Sequence, residues 1–206
     1  MVGIIDINLG NIRAVEKALD RLSIQHILLS REGSYFENCT HFILPGVGHF
    51  GAGMTQFRET GMINIIREHV LNKRRPILGI CLGMQLLASH SDEGKVDGLG
   101  FVGGTAKLIN PPDAGARVPH VGWNKLVSHR ESQLLDGIHP DERFYFVHSY
   151  AISPTDCNRC VSLVPYYGAD LCAVIEEENI LGVQFHPEKS HEQGLRILNN
   201  FYTMYG

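Results

Sequence analysis

The chain has 206 residues, a formal net charge of −4, and 44% hydrophobic and 19% charged residues. That length suffices for a core of its own, so a single domain over 1–206 is the natural expectation. The mildly acidic balance offers no broad basic face to nucleic acid or an anionic membrane, and no apolar run approaches the ~20 residues of a bilayer span.

The first half alternates short apolar runs with amphipathic stretches. Residues 2–7 read as a strand, entered directly from Met1 without a basic leader or cleavage site, which fits a cytoplasmic protein. Across 11–22, Ile12, Val15, Leu19 and Leu22 recur at helical spacing. Strands are expected at 25–29 and 40–44, then a helical stretch over 54–71 interrupted at Gly61. A buried strand at 77–80 and a helix over 82–90 complete the parallel part. The remainder is strand-rich: 101–109, 123–127, 144–149, 161–164, 171–176 and 180–185. A helix over 193–205 closes the chain, with Leu195, Leu198, Phe201 and Tyr202 toward the core. The alternation predicts a doubly wound α/β fold with a mixed sheet.

Five cysteines, Cys39, Cys81, Cys157, Cys160 and Cys172, are odd in number and scattered, which suits a reducing compartment. Cys157-Asn-Arg-Cys160 has no second pair at zinc spacing and follows a polar turn, so two ordinary turn cysteines are expected there and no metal site.

Cys81 differs from the other four. It lies in Gly79-Ile-Cys-Leu-Gly83, where an apolar strand turns abruptly into a helix. A nucleophile on such a turn is held strained and exposed, and small flanking residues let the chain double back. The helix start favours thiolate over thiol, and the Leu82 N–H points at any oxyanion formed on an attacked carbonyl. A buried cysteine packed as a small hydrophobe is the competing reading of this segment alone. Near the C-terminus, Gln184-Phe-His-Pro-Glu188 places His186 at a strand end stopped by Pro187. A histidine beside a cysteine accepts its proton and needs a third group to fix its tautomer, which Glu188 is placed to supply.

These two segments resemble the class I (triad) glutamine amidotransferases. Leu44-Pro-Gly-Val-Gly48, His120-Val-Gly-Trp-Asn124 and Phe146-Val-His-Ser-Tyr150 narrow the resemblance to the glutaminase subunits of imidazole glycerol phosphate synthase. The likeness runs from Ile4 to Phe201. It implies a flavodoxin-like mixed sheet, a Cys81–His186–Glu188 triad and no cofactor. It further implies an oxyanion hole from the N–H groups of Val47 and Leu82. By the same resemblance Gly46, Gly48, Gln85, Ser149 and Tyr150 form the glutamine pocket, although Gln85, one turn into a helix, also reads as a solvated side chain. Asn11, His120, Trp123 and Lys189 would face a partner. That partner is expected to be a (β/α)8 barrel synthase, in a heterodimer that passes ammonia without releasing it.

The glycines of Gly46-Val-Gly-His-Phe-Gly51 also match a dinucleotide-binding fingerprint, but Pro45 intervenes and the next strand ends without an acidic residue for a ribose. No P-loop is present, so the chain shows no standard means of activating an acceptor itself. Asn8 stands where the family usually has glycine, two residues after Asp6. Paralogous glutaminases that feed sugar-amidating enzymes of surface-polysaccharide synthesis keep the same triad. The acceptor therefore stays open at this level, as does a regulatory module without turnover.

Overall fold

The computed structural model describes residues 1–31, 33–128 and 130–205. The chain opens with β1 (Val2–Ile5), α1 (Ile12–Arg21), β2 (His26–Leu29), β3 (His41–Gly46) and α2 (Phe50–Thr60). Gly61, in the left-handed region at φ 71°, ends α2 and starts α3 (Met62–Arg67), which runs into a π-helical turn at Glu68–Asn72. Then come β4 (Ile77–Cys81), α4 (Leu82–Leu86), β5 (Ala88–Ser91), β6 (Val96–Asp97) and β7 (Val102–Leu108). The second half holds β8 (His120–Lys125), β9 (Val127–Ser128), β10 (Arg143–His148), β11 (Tyr150–Pro154) and β12 (Cys160–Tyr166). It finishes with β13 (Ala169–Glu177), β14 (Ile180–Val183) and α5 (His191–Thr203).

An eight-stranded sheet in the order β2-β1-β3-β4-β14-β13-β12-β9 forms the centre. Its strands from β2 to β14 pair in parallel, and β13, β12 and β9 continue it antiparallel. The expected mixed α/β sheet is what forms. The parallel strands β1, β3, β4 and β14 are buried along their whole length, which is why their sequences are nearly continuous apolar runs rather than alternating ones. Two cores cover the two faces. One gathers Phe42, Phe50, Phe57 and Leu86. The other gathers Phe144, Phe146, Phe185 and Phe201, the last from α5. Truncating Phe201 to alanine would cost about 3–5 kcal/mol, the usual penalty for a fully buried aromatic.

Some expected elements are shorter than their patterns, the helix after β4 most of all. The helix over 82–90 stops at Leu86, and Ala88–Ser91 is strand. The carbonyls a longer helix would need are taken by the segment that follows. Leu99 N–H donates to Leu86, Phe101 and Val102 N–H donate to Leu87, and Gly100 N–H donates to Ala88. Tertiary partners thus outbid helix propagation, and β5 pairs with β7 in a separate four-stranded sheet. At the other end of the chain, β14 ends at Val183 instead of 185, although Gln184 N–H still donates to Ala173 of β13. None of the described helices is long and apolar enough to cross a membrane.

Candidate active site

The parallel strands bring the site together at their C-terminal ends, where α/β sheets collect ligands. Gly46 at the end of β3 pairs with Cys81 at the end of β4, and β14 on the other side leads into Gln184 and His186. Cys81 has φ 53° and ψ −110°, a conformation rarely tolerated by a residue with a Cβ. Such backbone stores on the order of 1–3 kcal/mol and persists only where the surroundings over-determine it. Here they do. A side chain at Gly83 would overlap the carbonyl oxygen of Leu44, so α4 lies directly on β3 and only glycine fits. The expected elbow is present.

Cys81 Sγ lies 3.8 Å from the carbonyl oxygen of Val147, to which the thiol donates, and receives a hydrogen bond from Gln184 Nε2 at 3.6 Å. His186 Nδ1–H donates to Glu188 Oε1 at 2.8 Å, and both side chains are about 2% exposed. The carboxylate fixes the tautomer, leaving Nε2 for chemistry. Nε2 is buried without a hydrogen-bond partner among the described residues. Burial alone would lower the pKa of His186, but Cys81 and Glu188 outweigh it and push the ring up to about 9. The imidazolium is therefore stabilised by groups on both sides.

A pocket of about 400 Å³ opens over the sulfur, lined by Val47, Gly48, Cys81, Leu82, Gln85, Glu93, Pro119, Val147, His148, Ser149 and Tyr150. Of the expected pocket residues, only Gly46 is not in its wall. Gln85 is not a solvated side chain: it is 4% exposed, and its Nε2 donates to the Tyr150 carbonyl at 2.7 Å and to Gln184 Oε1 at 3.1 Å. Four larger hollows lie elsewhere among the described residues, and none is lined by Cys81, His186 or Glu188. Cys157, Cys160 and Cys172 line one of them, and all three thiols are free.

The segment expected to supply an oxyanion donor has its N–H engaged within the chain. Val47 N–H donates to the carbonyl of Leu9 at 2.6 Å, so it is engaged by protein rather than aimed at a bound carbonyl. Leu82 N–H belongs to the first turn of α4, where helix geometry provides no internal acceptor.

Three expected surface residues stay at or near the surface, and one does not. Asn11 is exposed just ahead of α1, and Trp123 is 38% exposed and stacked on His191 at 4.9 Å. Lys189 Nζ sits 5.7 Å from the Tyr145 ring centre. His120 is fully buried, which corrects its reading as a contact residue: its Nδ1 bonds His148 Nε2 and its Nε2 bonds Asn124, each at 3.0 Å. A position on β8 that alternates inward cannot present its ring to a partner. Asn8 adopts φ 58° and its backbone N–H donates to Asp6 at 2.8 Å. Asparagine tolerates this left-handed conformation better than other residues with a Cβ.

Sequence reasoning missed Glu93, His148 and Gln184. The last two lie inside the motifs already singled out, and their neighbours' roles were the available signal. Glu93 sits in a polar turn with no pattern around it; its Oε2 accepts from Phe50 N–H at 2.6 Å.

Residues 4–204 match the family Glutamine amidotransferase class-I. Imidazole glycerol phosphate synthase subunit HisH of Leptospira borgpetersenii is 39% identical over 206 residues, covering 99% of this chain and 100% of its own. The HisH subunit of Geobacillus sp. (strain WCH70) is 42% identical over 210 residues, with 99% and 97% covered. Among solved structures, PurLQS from Thermotoga maritima superposes with TM-score 0.77 at 17% identity, covering 100% of this chain and 98% of that one. A strained cysteine elbow facing a His–Glu pair, on a sheet of this topology and with full-length relatives of this kind, leaves one family: the chain belongs to the class I glutamine amidotransferases.

Proposed function

We propose that this chain is the glutaminase subunit of an imidazole glycerol phosphate synthase, acting in histidine biosynthesis in the cytoplasm. The observation that carries the reading is the Cys81 elbow, open to the pocket, beside the buried His186–Glu188 pair. Full-length relatives bearing the HisH name support the choice of acceptor.

In this reading the Cys81 thiolate attacks the side-chain amide carbon of glutamine. The resulting oxyanion takes the Leu82 N–H and, once its peptide has turned, the Val47 N–H. His186 protonates the departing nitrogen, and ammonia leaves as Cys81 forms a thioester. His186 then takes a proton from water, the hydroxide attacks the thioester carbon, and glutamate and free thiol result. Glu188 holds the imidazole in the right tautomer and balances its positive charge when it is protonated. Gly48, Gln85, Ser149 and Tyr150 shape the glutamine site, with Gly46 behind them. Glu93, the single acidic residue in that wall, suits the α-ammonium of an amino acid.

Ammonia protonates in water near neutral pH and loses its nucleophilicity, so it must pass within a complex. The partner in this reading is a barrel synthase that uses ammonia to make imidazole glycerol phosphate and an aminoimidazole ribotide. Asn11, Trp123 and Lys189 fall to its interface. Asn8 favours no other partner, because its conformation explains it.

The test is complementation of a histidine auxotroph lacking its own glutaminase subunit, with Cys81→Ala as control. Growth with wild type and none with the variant is expected. Failure of both, with glutaminase stimulation by a sugar-amidating enzyme instead, would overturn the acceptor.

A further inference from the structure

The core between the nucleophile and the pocket wall holds two buried glutamines whose amides face one another. Gln184 is completely buried and Gln85 nearly so. A buried amide with an unmet group costs on the order of 1–3 kcal/mol, so two of them together demand a reason. Their orientations are not free. The Tyr150 carbonyl can only accept, so it fixes Gln85 with Nε2 toward it. The same Nε2 reaches Gln184 Oε1, which fixes the second amide in turn. Gln184 Nε2 is thereby left pointing at Cys81 Sγ, 3.6 Å away. A backbone carbonyl thus sets, through two side chains, a donor on the sulfur.

We propose that Gln184 is a positioning residue for the Cys81 thiolate, holding the sulfur by its side-chain N–H, with Gln85 and the Tyr150 carbonyl as the strut that aims it. The competing contact explains why a donor is needed. The Val147 carbonyl at 3.8 Å stabilises only the protonated thiol and repels the thiolate. Gln184 offsets this from the other side and fixes the sulfur on the pocket axis. The backbone of Gln184 is tied to β13 by its N–H donation to Ala173 at 2.8 Å, so the donor rests on the sheet and not on a loop. Gln184 does not line the glutamine pocket, and its effect should therefore fall on the sulfur rather than on substrate affinity.

This inference rests on Cys81 being the nucleophile, but its main test does not. The full chain is alkylated with iodoacetamide across a pH series, and modification of the Cys81 peptide is followed by mass spectrometry. Wild type, Gln184→Met and Gln85→Met are compared. His186 with Glu188, His148, and Glu93 across the pocket face the sulfur equally in all three, so the difference isolates the amides. The low-pH limb should move up by about one unit in Gln184→Met, the usual effect of losing a hydrogen bond to an ionised group. Gln85→Met, which only frees the second amide to turn, should move it less and in the same direction. An unchanged limb in folded Gln184→Met overturns the proposal. Should that variant not fold, an unchanged limb in Gln85→Met does so. In partner-activated hydrolysis, Gln184→Met should lower kcat with little change in KM, and the reverse pattern would also overturn it. Glutamine hydrolysis by Cys81→Ala would instead sink the nucleophile assignment and leave the alkylation result standing.

Discussion

Replacing Glu188 by glutamine keeps the volume of the side chain and removes only its charge and its fixed acceptor. The ring of His186 is held at a pKa of about 9 against its own burial, by Cys81 and Glu188 together. At pH 7.5 such a ring is ~97% cationic. Without the carboxylate, Cys81 alone opposes burial, so the pKa falls and the cationic fraction at the same pH declines. The population of ready thiolate–imidazolium pairs therefore drops. A further loss follows because a glutamine can offer N–H to Nδ1 and stabilise the wrong tautomer. Glutaminase turnover at saturating glutamine, with an activating partner, should fall by at least tenfold at pH 7.5. His186→Ala should fall further, by several orders of magnitude, since both proton transfers go with it. A loss below about threefold for Glu188→Gln, or one exceeding that of His186→Ala, would refute the assigned roles.

Other outcomes follow from the same geometry. With Val47 N–H held by Leu9, the isolated chain should hydrolyse glutamine about 10²–10³-fold more slowly than the partner-bound chain, the cost of one missing oxyanion donor; high activity of the lone chain would refute this. Glu93→Gln should raise KM for glutamine with kcat little changed, read from steady-state kinetics, and an unchanged KM would remove Glu93 from substrate recognition. Burial pushes His41 down to about 4 and His148 to about 3, so both are stabilising when neutral. Their contribution is complete above about pH 6.5 and is lost as pH falls through 4, on the order of 3 kcal/mol for His41. His186, raised to about 9, has the opposite sign: its contribution is complete below about 6.5 and fades as pH rises through 9. Tm should therefore decline on both sides of neutrality, and His41→Phe should flatten the acid limb; an unaltered acid slope in that variant would contradict the assignment.

The parallel half of the fold was legible because its strands are short apolar runs separated by amphipathic helices, and the elbow because Gly79-Ile-Cys-Leu-Gly83 admits few other structures. What escaped was set by distant partners. The carbonyls of Leu86 to Ala88 are claimed by residues 99–102, and nothing between 82 and 90 announces this. His120 is expected at the surface with its motif neighbour Trp123, which is exposed, yet its position on β8 turns it inward onto His148. Gln85 read as ambiguous because a polar residue early in a helix is usually solvated, whereas here two acceptors wait for it at fixed places. Glu93 was invisible because a carboxylate in a surface turn is common. The local pattern gives element type and the strained turn at Cys81; the assignment of inward-facing polar groups needs the tertiary fold.

The contact between Gly83 and the Leu44 carbonyl has a consequence for how this protein tolerates change. The spacing between the Cys81 turn and the neighbouring strand is set by main chain touching main chain, not by the fit of side chains. Core residues such as Phe57 or Phe201 govern how long the molecule stays folded, but they do not set that spacing. Substitutions there should erode thermal endurance while the surviving molecules keep the catalytic rate of the parent. Thermal endurance and turnover number would then drift separately, until unfolding removes both at once.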